Sequence, residues 1–424
     1  MNKEKGRGFG RKGWAVIIFT LFIYMFTCTV ADTLNVSVTA FAATYQWDPN
    51  QLLLFSAAGG FCGIVVSLIL GLVVAKKGVK WPTVVFLILS AVIWTTYGRA
   101  NTIASYGISV VLATAVGNAL NLVSTQQIMS NWFPRKKGIA LGWATMGTCF
   151  SSAIMVAVFQ GLFGKGLATP FYLMTAIMAV LAIIMIVWFK NYPEEAGAYP
   201  DNEPLTEEEK KANLEILNSH KTEFTIGKLF KTKEMWMLSL IFGFVALGLV
   251  AAVSQMIPRL VAVGMGQNIA ILWLTIASVI GIPASVIWGY IDQKMGTNKT
   301  VKLFCVLWTI MLVVSAAGSA MGNVLVASIS VVFYAVLLGG MMNLMPSAII
   351  SVFGRFDFAQ ANKLIMPIVI GIRSCAFLVV PMMLAAAGAN ANGGYRNAFI
   401  FCAILSAIST ILAFCLKDRC IGKQ

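Results

Sequence analysis

Twelve long apolar blocks punctuate this chain, over 13–42, 51–75, 81–98, 102–130, 137–163, 169–189, 235–263, 267–291, 299–320, 323–350, 359–388 and 393–416. A helix needs about 20 mostly apolar residues to cross bilayer hydrocarbon, and each block reaches or approaches that length. In lipid every backbone N–H and C=O must be paired within the chain, which leaves helices or a closed barrel. The blocks are continuous rather than alternating, so barrel strands are excluded. The expected fold is an all-α membrane protein of twelve transmembrane helices. Composition agrees: only 11% of the 424 residues are charged, against about 25% in soluble domains.

Charge orients the spans. The formal charge of +15 comes from 31 Lys and Arg against 16 Asp and Glu. The bases sit in short connectors such as Lys76, Lys77 and Lys80, or Arg135, Lys136 and Lys137, not along one continuous face. With the N-terminus inside, 25 of the 31 fall on the inner side and only Arg99, Lys165 and Arg396 on the outer. Such an excess of inner bases is the positive-inside pattern. It predicts a plasma-membrane protein with both termini cytoplasmic, an inner face against anionic lipid, and no nucleic-acid partner. The basic start before Trp14 looks like a secretory signal, and Ala40-Phe41-Ala42 offers small residues for cleavage. Because more apolar blocks follow, the run reads as an uncleaved first span. Seven of the eight cysteines lie inside apolar blocks and read as core residues, not ligands or disulfides.

The longest connector divides the chain into a six-helix bundle over 1–189, a linker over 190–234 and a second six-helix bundle over 235–424. The linker carries ten acids, seven bases, and Pro193, Pro200 and Pro204. Thr206 and Glu209 have capping-box spacing, which predicts a short surface helix there. The chain's one histidine, His220, lies in this linker.

The two halves show a repeat. Gly71 and Gly78 follow span 2 as Gly289 and Gly296 follow span 8, an offset of 218 in both cases. Phe133 and Arg135 after span 4 match Phe353 and Arg355 after span 10, an offset of 220. With the Gly71…Gly78 connector and the run from Asn131 to Gly142, these points resemble the major facilitator superfamily of secondary transporters. Asn131-Trp-Phe-Pro-Arg135 with Phe353-Gly354-Arg355 is similar to its oxalate/formate antiporter and monocarboxylate transporter branch. The resemblance implies two pseudo-symmetric bundles that rock about a central site lined by spans 1, 4, 7 and 10. It also implies gating roles for Gly71, Lys76, Gly78, Arg135, Gly138, Asp292, Gly296 and Arg355. Two departures stand out. Ala75 replaces the usual acid of the first connector, and span 8 lacks the basic residue that the oxalate/formate antiporters place beside another in span 11.

Apart from the bases at block ends (Lys137, Lys299, Lys302 and Arg396), which group with the connectors, four charged residues fall inside the blocks: Asp32, Arg259, Lys363 and Arg373. A charge at membrane depth costs at least ~2.5 kcal/mol on insertion scales, so each is a candidate site residue. Arg373 lies about 21 Å along span 11 at ~1.5 Å per residue, near the midplane. Its guanidinium fork matches a carboxylate, and a purely structural role is the alternative. Asp32, Asn35 and Thr39 form one polar stripe, and Asn118, Asn121 and Thr125 another, which line a cavity or bond neighbouring helices. Asp32 reads as a proton carrier or as a salt-bridge partner of Arg373 or Arg259. Lys363 and Arg259 are expected to snorkel toward headgroups, with Gln255 beside Arg259 as a further secondary site candidate. No ATP loop, nucleophile motif or metal spacing is present, so no enzyme activity, cofactor or metal is expected. The expectation is a monomeric secondary transporter of a small organic anion, coupled to a proton or counter-anion. Two alternatives stay open: a transporter of a larger amphipathic acid, and a membrane sensor that does not transport.

Overall fold

A computed structural model describes residues 8–204, 206, 208, 209, 215 and 222–422. Within that set the side chains of Asn35 and Asn50 are not described, and His220 lies outside it. The described residues contain eleven helices long and apolar enough to span a membrane. One of them, Val324–Ala387, has 64 residues, about twice the bilayer requirement. It is broken at Gly354, whose φ of 74° and ψ of 175° lie outside helical space. The predicted tenth and eleventh spans therefore join through this one residue, and the spans among the described residues number twelve.

In chain order, span 1 is Gly10–Asp32 with Leu34–Tyr45, and span 2 is Pro49–Lys77. Span 3 is Lys80–Gly98, span 4 Ile103–Trp132, span 5 Lys137–Phe163 and span 6 Thr169–Val187. Span 7 is Lys233–Ser254 with Met256–Ala262; spans 8 and 9 are Gln267–Met295 and Thr297–Met321. Spans 10 and 11 lie before and after Gly354, span 11 ending in Ala376–Ala387, and span 12 is Ala391–Cys415. Helices run further at the basic face than the apolar blocks suggested. Asp292 falls in the last turn of span 8 and Asp357 in the first turns of span 11, each 3% exposed. Asp32 is thus not the only carboxylate buried among the spans.

The halves are built alike. In the first, span 1 packs on span 5, span 2 on span 4 and span 3 on span 6; in the second, spans 8 and 9 pack on 10 and 12 and span 7 on the helix of spans 10 and 11. The most extensive contacts between the halves are span 2 with span 11 and span 5 with span 8, which the internal repeat makes equivalent. The matched glycines have matched roles. Gly78 and Gly296 turn the chain with φ of 76° and 84°, angles that only glycine adopts without strain. At the span 5–span 8 crossing a Cβ on Gly138 would meet the Gly289 carbonyl at 2.7 Å, so the helices touch backbone to backbone.

The linker folds back over the basic face through the turns Glu194–Ala196 and Pro200–Asn202. The expected capping box is present: the Glu209 N–H donates to Thr206 Oγ1 at 3.2 Å and the Thr206 N–H to Glu209 Oε2 at 2.8 Å.

Candidate functional site

Four spans lose regular helix beside one cluster of polar side chains. Span 1 breaks at Thr33, just after Asp32, and span 11 at Cys375, just after Arg373. Spans 4 and 5 each contain one turn of π-helix, Leu120–Ser124 and Ser151–Met155. Short π-turns are costly and concentrate at functional sites, because the extra residue per turn pushes a side chain out of register toward a ligand. No glycine or proline signals these two turns; tertiary packing imposes them. The straight polar stripes expected from sequence are interrupted: the break at Thr33 puts Asp32 and Thr39 on separate helices, and the span 4 π-turn falls between Asn118 and Thr125.

Within the cluster, Arg373 Nη2 donates to Asn118 Oδ1 at 2.5 Å. Asn121 donates to Thr27 Oγ1 and Cys28 Sγ, both at 3.2 Å, and the Cys28 thiol lies beside both Asp32 and Arg373. Spans 1, 4 and 11 are thereby tied at one depth. Asp32 faces the hydroxyls of Ser151 and Ser152 from the π-turn of span 5, while its Oδ2 is buried with no hydrogen-bond partner. Among the described residues no cation lies within ion-pair distance of Asp32, so the expected salt bridge to Arg373 or Arg259 is absent. The Tyr334 hydroxyl of span 10 is buried without a partner among the described residues. Sequence reasoning missed Tyr334, Ser151 and Ser152, because a tyrosine or serine in an apolar block carries no mark of its direction. Asn35 begins the second helix of span 1, and its side chain lies outside the described set.

A second polar network closes the basic face. Arg355 donates through Nη2 and Nε to the Asn131 carbonyl at 2.6 and 2.9 Å, and grips Glu194 of the linker at 2.9 and 3.0 Å. Its guanidinium also faces the rings of Tyr192 and Phe356. Both partners are almost fully buried, so this pair joins the two halves and the linker in one contact. Asp292 accepts from Ser347 at 2.5 Å and faces Gly138 and Lys137 of the other half. The Lys137 ammonium reaches Ser351, and Gln293 donates to the Arg135 carbonyl at 3.1 Å. Arg135 itself is exposed, with its N–H on Asp201 and its guanidinium near Glu203. Burial raises the Asp201 carboxyl to about 6 against the lowering effect of the Lys136 and Arg135 N–H groups. Gly71 packs against the backbone of Lys363, while Lys76 is exposed nearby.

Two expectations are corrected. Lys363 does not snorkel: it is 7% exposed, in the span 2–span 11 contact, with its ammonium on Gln360. Arg259 is 4% exposed, donates to Ser330 at 2.8 Å and lies over the Phe399 ring at 4.9 Å. Gln255, at the junction of the two helices of span 7, accepts from Tyr395 at 3.3 Å. Both cations were misplaced because a sequence gives depth along a helix but not the face it turns to its neighbours.

Among the described residues, twelve spans form two matched bundles, tied at one face and carrying a polar cluster between them. The sequence model of the Major Facilitator Superfamily matches residues 20–372, and the chain belongs to that superfamily of transporters. An oxalate:formate antiporter of Oxalobacter formigenes is 24% identical over 329 residues, covering 76% of this chain and 71% of that one. The proton:xylose symporter XylE bound to 6-bromo-6-deoxy-D-glucose superposes with a TM-score of 0.75 at 14% identity, covering 96% and 98% of the two chains. The transporter FucP in its outward conformation gives 0.68 at 15% identity, covering 95% and 97%. These likenesses show the fold of a multi-pass membrane transporter, a class that binds small substrates together with coupled ions or counter-substrates.

Proposed function

We propose that this protein moves a small organic anion, a mono- or dicarboxylate, across the plasma membrane by alternating access, with its basic face and both termini in the cytoplasm. The observation that carries the reading is the state of Arg373. This cation sits between the two halves with an amide oxygen, Asn118 Oδ1, as its one hydrogen-bonded partner among the described residues, and a substrate carboxylate would supply the bidentate, charged acceptor that an amide cannot. Asn118 and Asn121 then order the first half around the anion, and Tyr334 offers a hydroxyl from the second. With the basic face tied by Arg355, the site is shut off on the side that this reading assigns to the cytoplasm. Transport requires that tie to open while the site closes on its other side.

Anion exchange is the favoured coupling, supported by the antiporter relative. Proton symport is the second, supported by Asp32, whose unpaired oxygen sits across the cluster from Arg373 and free of any ion pair. A larger amphipathic acid is the second reading of the substrate, because among the described residues span 8 brings no cation to the cluster. Uptake into proteoliposomes decides among these: oxalate, formate and benzoate are offered against a counter-anion inside or a proton gradient. Exchange of small acids that persists in Asp32→Asn supports anion exchange; loss of gradient-driven uptake in Asp32→Asn supports symport. Accumulation of neutral sugar alone would contradict the anion reading. A non-transporting sensor would show no uptake of any acid and would respond to deletion of 205–221.

A further inference from the structure

Arg259 lies far from the cluster around Arg373, in the helix Met256–Ala262 that ends span 7 away from the basic face. Three helices converge on it. Span 10 provides Ser330, which takes one N–H at 2.8 Å, and span 12 provides the Phe399 ring, stacked at 4.9 Å. Tyr395, one turn before Phe399, faces it and is tied back to Gln255. The guanidinium is nevertheless incomplete, since Nε and Nη1 are both buried and unpaired. Among the described residues no carboxylate forms an ion pair with it.

A buried cation with neither counter-ion nor full hydrogen bonding is unfavourable unless something fills the gap. The aromatic face covers one side of the guanidinium plane and Ser330 occupies one edge. Nε–H and the Nη1 N–H groups point to different sides of the guanidinium and share no edge, but each lacks an acceptor, and an oxyanion oxygen fits either donor. We propose that Arg259, with Ser330, Phe399 and Tyr395, forms a second anion site at the outer end of the second bundle, and that an oxyanion binds there at the unpaired donors of the guanidinium. That oxyanion is either a carboxylate from solution or the phosphate of a lipid headgroup, which share this chemistry. The break at Gln255 lets the seven-residue helix shift to admit it. The orientation rests on the reading of the basic face as cytoplasmic, whereas the anion site itself does not.

The test uses full-length Arg373→Gln protein in neutral detergent, so that the site between the halves does not contribute. Acetate and inorganic phosphate are titrated by calorimetry, and native mass spectrometry follows adducts after exposure to phosphatidylglycerol vesicles. The expected result is one saturable anion site, weakened about tenfold or more when Arg259→Gln is added. A phosphatidylglycerol adduct lost in Arg259→Gln identifies the lipid phosphate as the oxyanion; acetate binding without such an adduct identifies a soluble carboxylate. If Arg259→Gln does not fold, Arg259→Lys keeps the charge and loses the planar set of donors, and acetate should raise its Tm less than that of the Arg373→Gln protein. Acetate, phosphate and lipid that all bind independently of Arg259, or an equal rise in Tm in Arg259→Lys, would overturn the proposal. Because the measurement is made without Arg373, its failure leaves the substrate reading of Arg373 untouched, and the reverse also holds.

Discussion

Arg355 and Arg373 stand on the same span, on the same side of the molecule's central interface, and their surroundings differ in kind. Arg355 is saturated: two N–H groups on the Asn131 carbonyl, two on Glu194, and aromatic rings beside it. Arg373 has one amide oxygen. A saturated buried cation has nothing left to offer a ligand and serves to hold elements together. An undersupplied one at an irregular stretch of helix is held ready for a partner that the chain does not provide. On the proposed reading the same residue type marks a latch at one depth and a site at another, and the census of its neighbours is what separates them.

The comparison breaks most sharply at the latch. Arg355→Gln or Glu194→Gln leaves an unpaired buried charge, which costs about 3–5 kcal/mol. Either should lower the Tm of the purified protein, and the double substitution should recover part of the loss. Additive losses would show that the two residues do not act as a pair. The same change at Arg373 should leave the Tm nearly unaltered or raised, because a weakly compensated buried cation is removed.

The glycine crossing tests the other contact between the halves. Gly289→Val would drive methyl groups into the Gly138 backbone, and overpacking of this sort costs about 1–3 kcal/mol. Spin labels at Lys76 and Lys294 should then report a wider basic face than in the unaltered protein. An unchanged distance would mean that the halves are held without this crossing.

The smallest effect concerns the linker. The Asp201 carboxyl is raised from 3.8 to about 6, so the docked linker holds its proton more tightly than the released one. Docking is then strongest below the ordinary value and weakens as pH rises from about 4 through about 6, after which it is level. Hydrogen exchange at 200–204 should accordingly speed up on passing from pH 5 to pH 7 once corrected for the intrinsic rate, and Asp201→Asn should abolish the change. Slower corrected exchange at the higher pH would reverse the assigned sign.

The spans, their number and the repeat were legible because the bilayer demands long apolar runs and the turns demand glycine at fixed places. Gly78 and Gly296 were read from sequence and carry the expected positive φ. Gly354 was read as part of a connector, yet it is nearly all of the connector, since helix resumes on both sides. The site was legible as residue types only. Arg373 with Asn118 could be foreseen as polar groups near mid-depth, but not as a bonded pair. The π-turns of spans 4 and 5, the separation of Asp32 from Arg373, and the burial of Lys363 and Arg259 all depend on which face each helix turns inward. Glu194 was hidden for a similar reason: a linker rich in charge reads as solvated, and nothing local says that one acid of ten folds under the basic face to meet Arg355.

The central claim is that Arg373 holds the carboxylate of the transported anion. It is tested most directly by equilibrium binding of the acid selected in the uptake panel to purified Arg373→Gln and Arg373→Lys, with Arg355→Lys as the contrasting position. Loss of a charged, bidentate partner predicts that Arg373→Gln binds about 100-fold more weakly, that Arg373→Lys keeps part of the affinity, and that Arg355→Lys binds normally while melting lower. Binding by Arg373→Gln as tight as that of the unaltered protein would contradict the account.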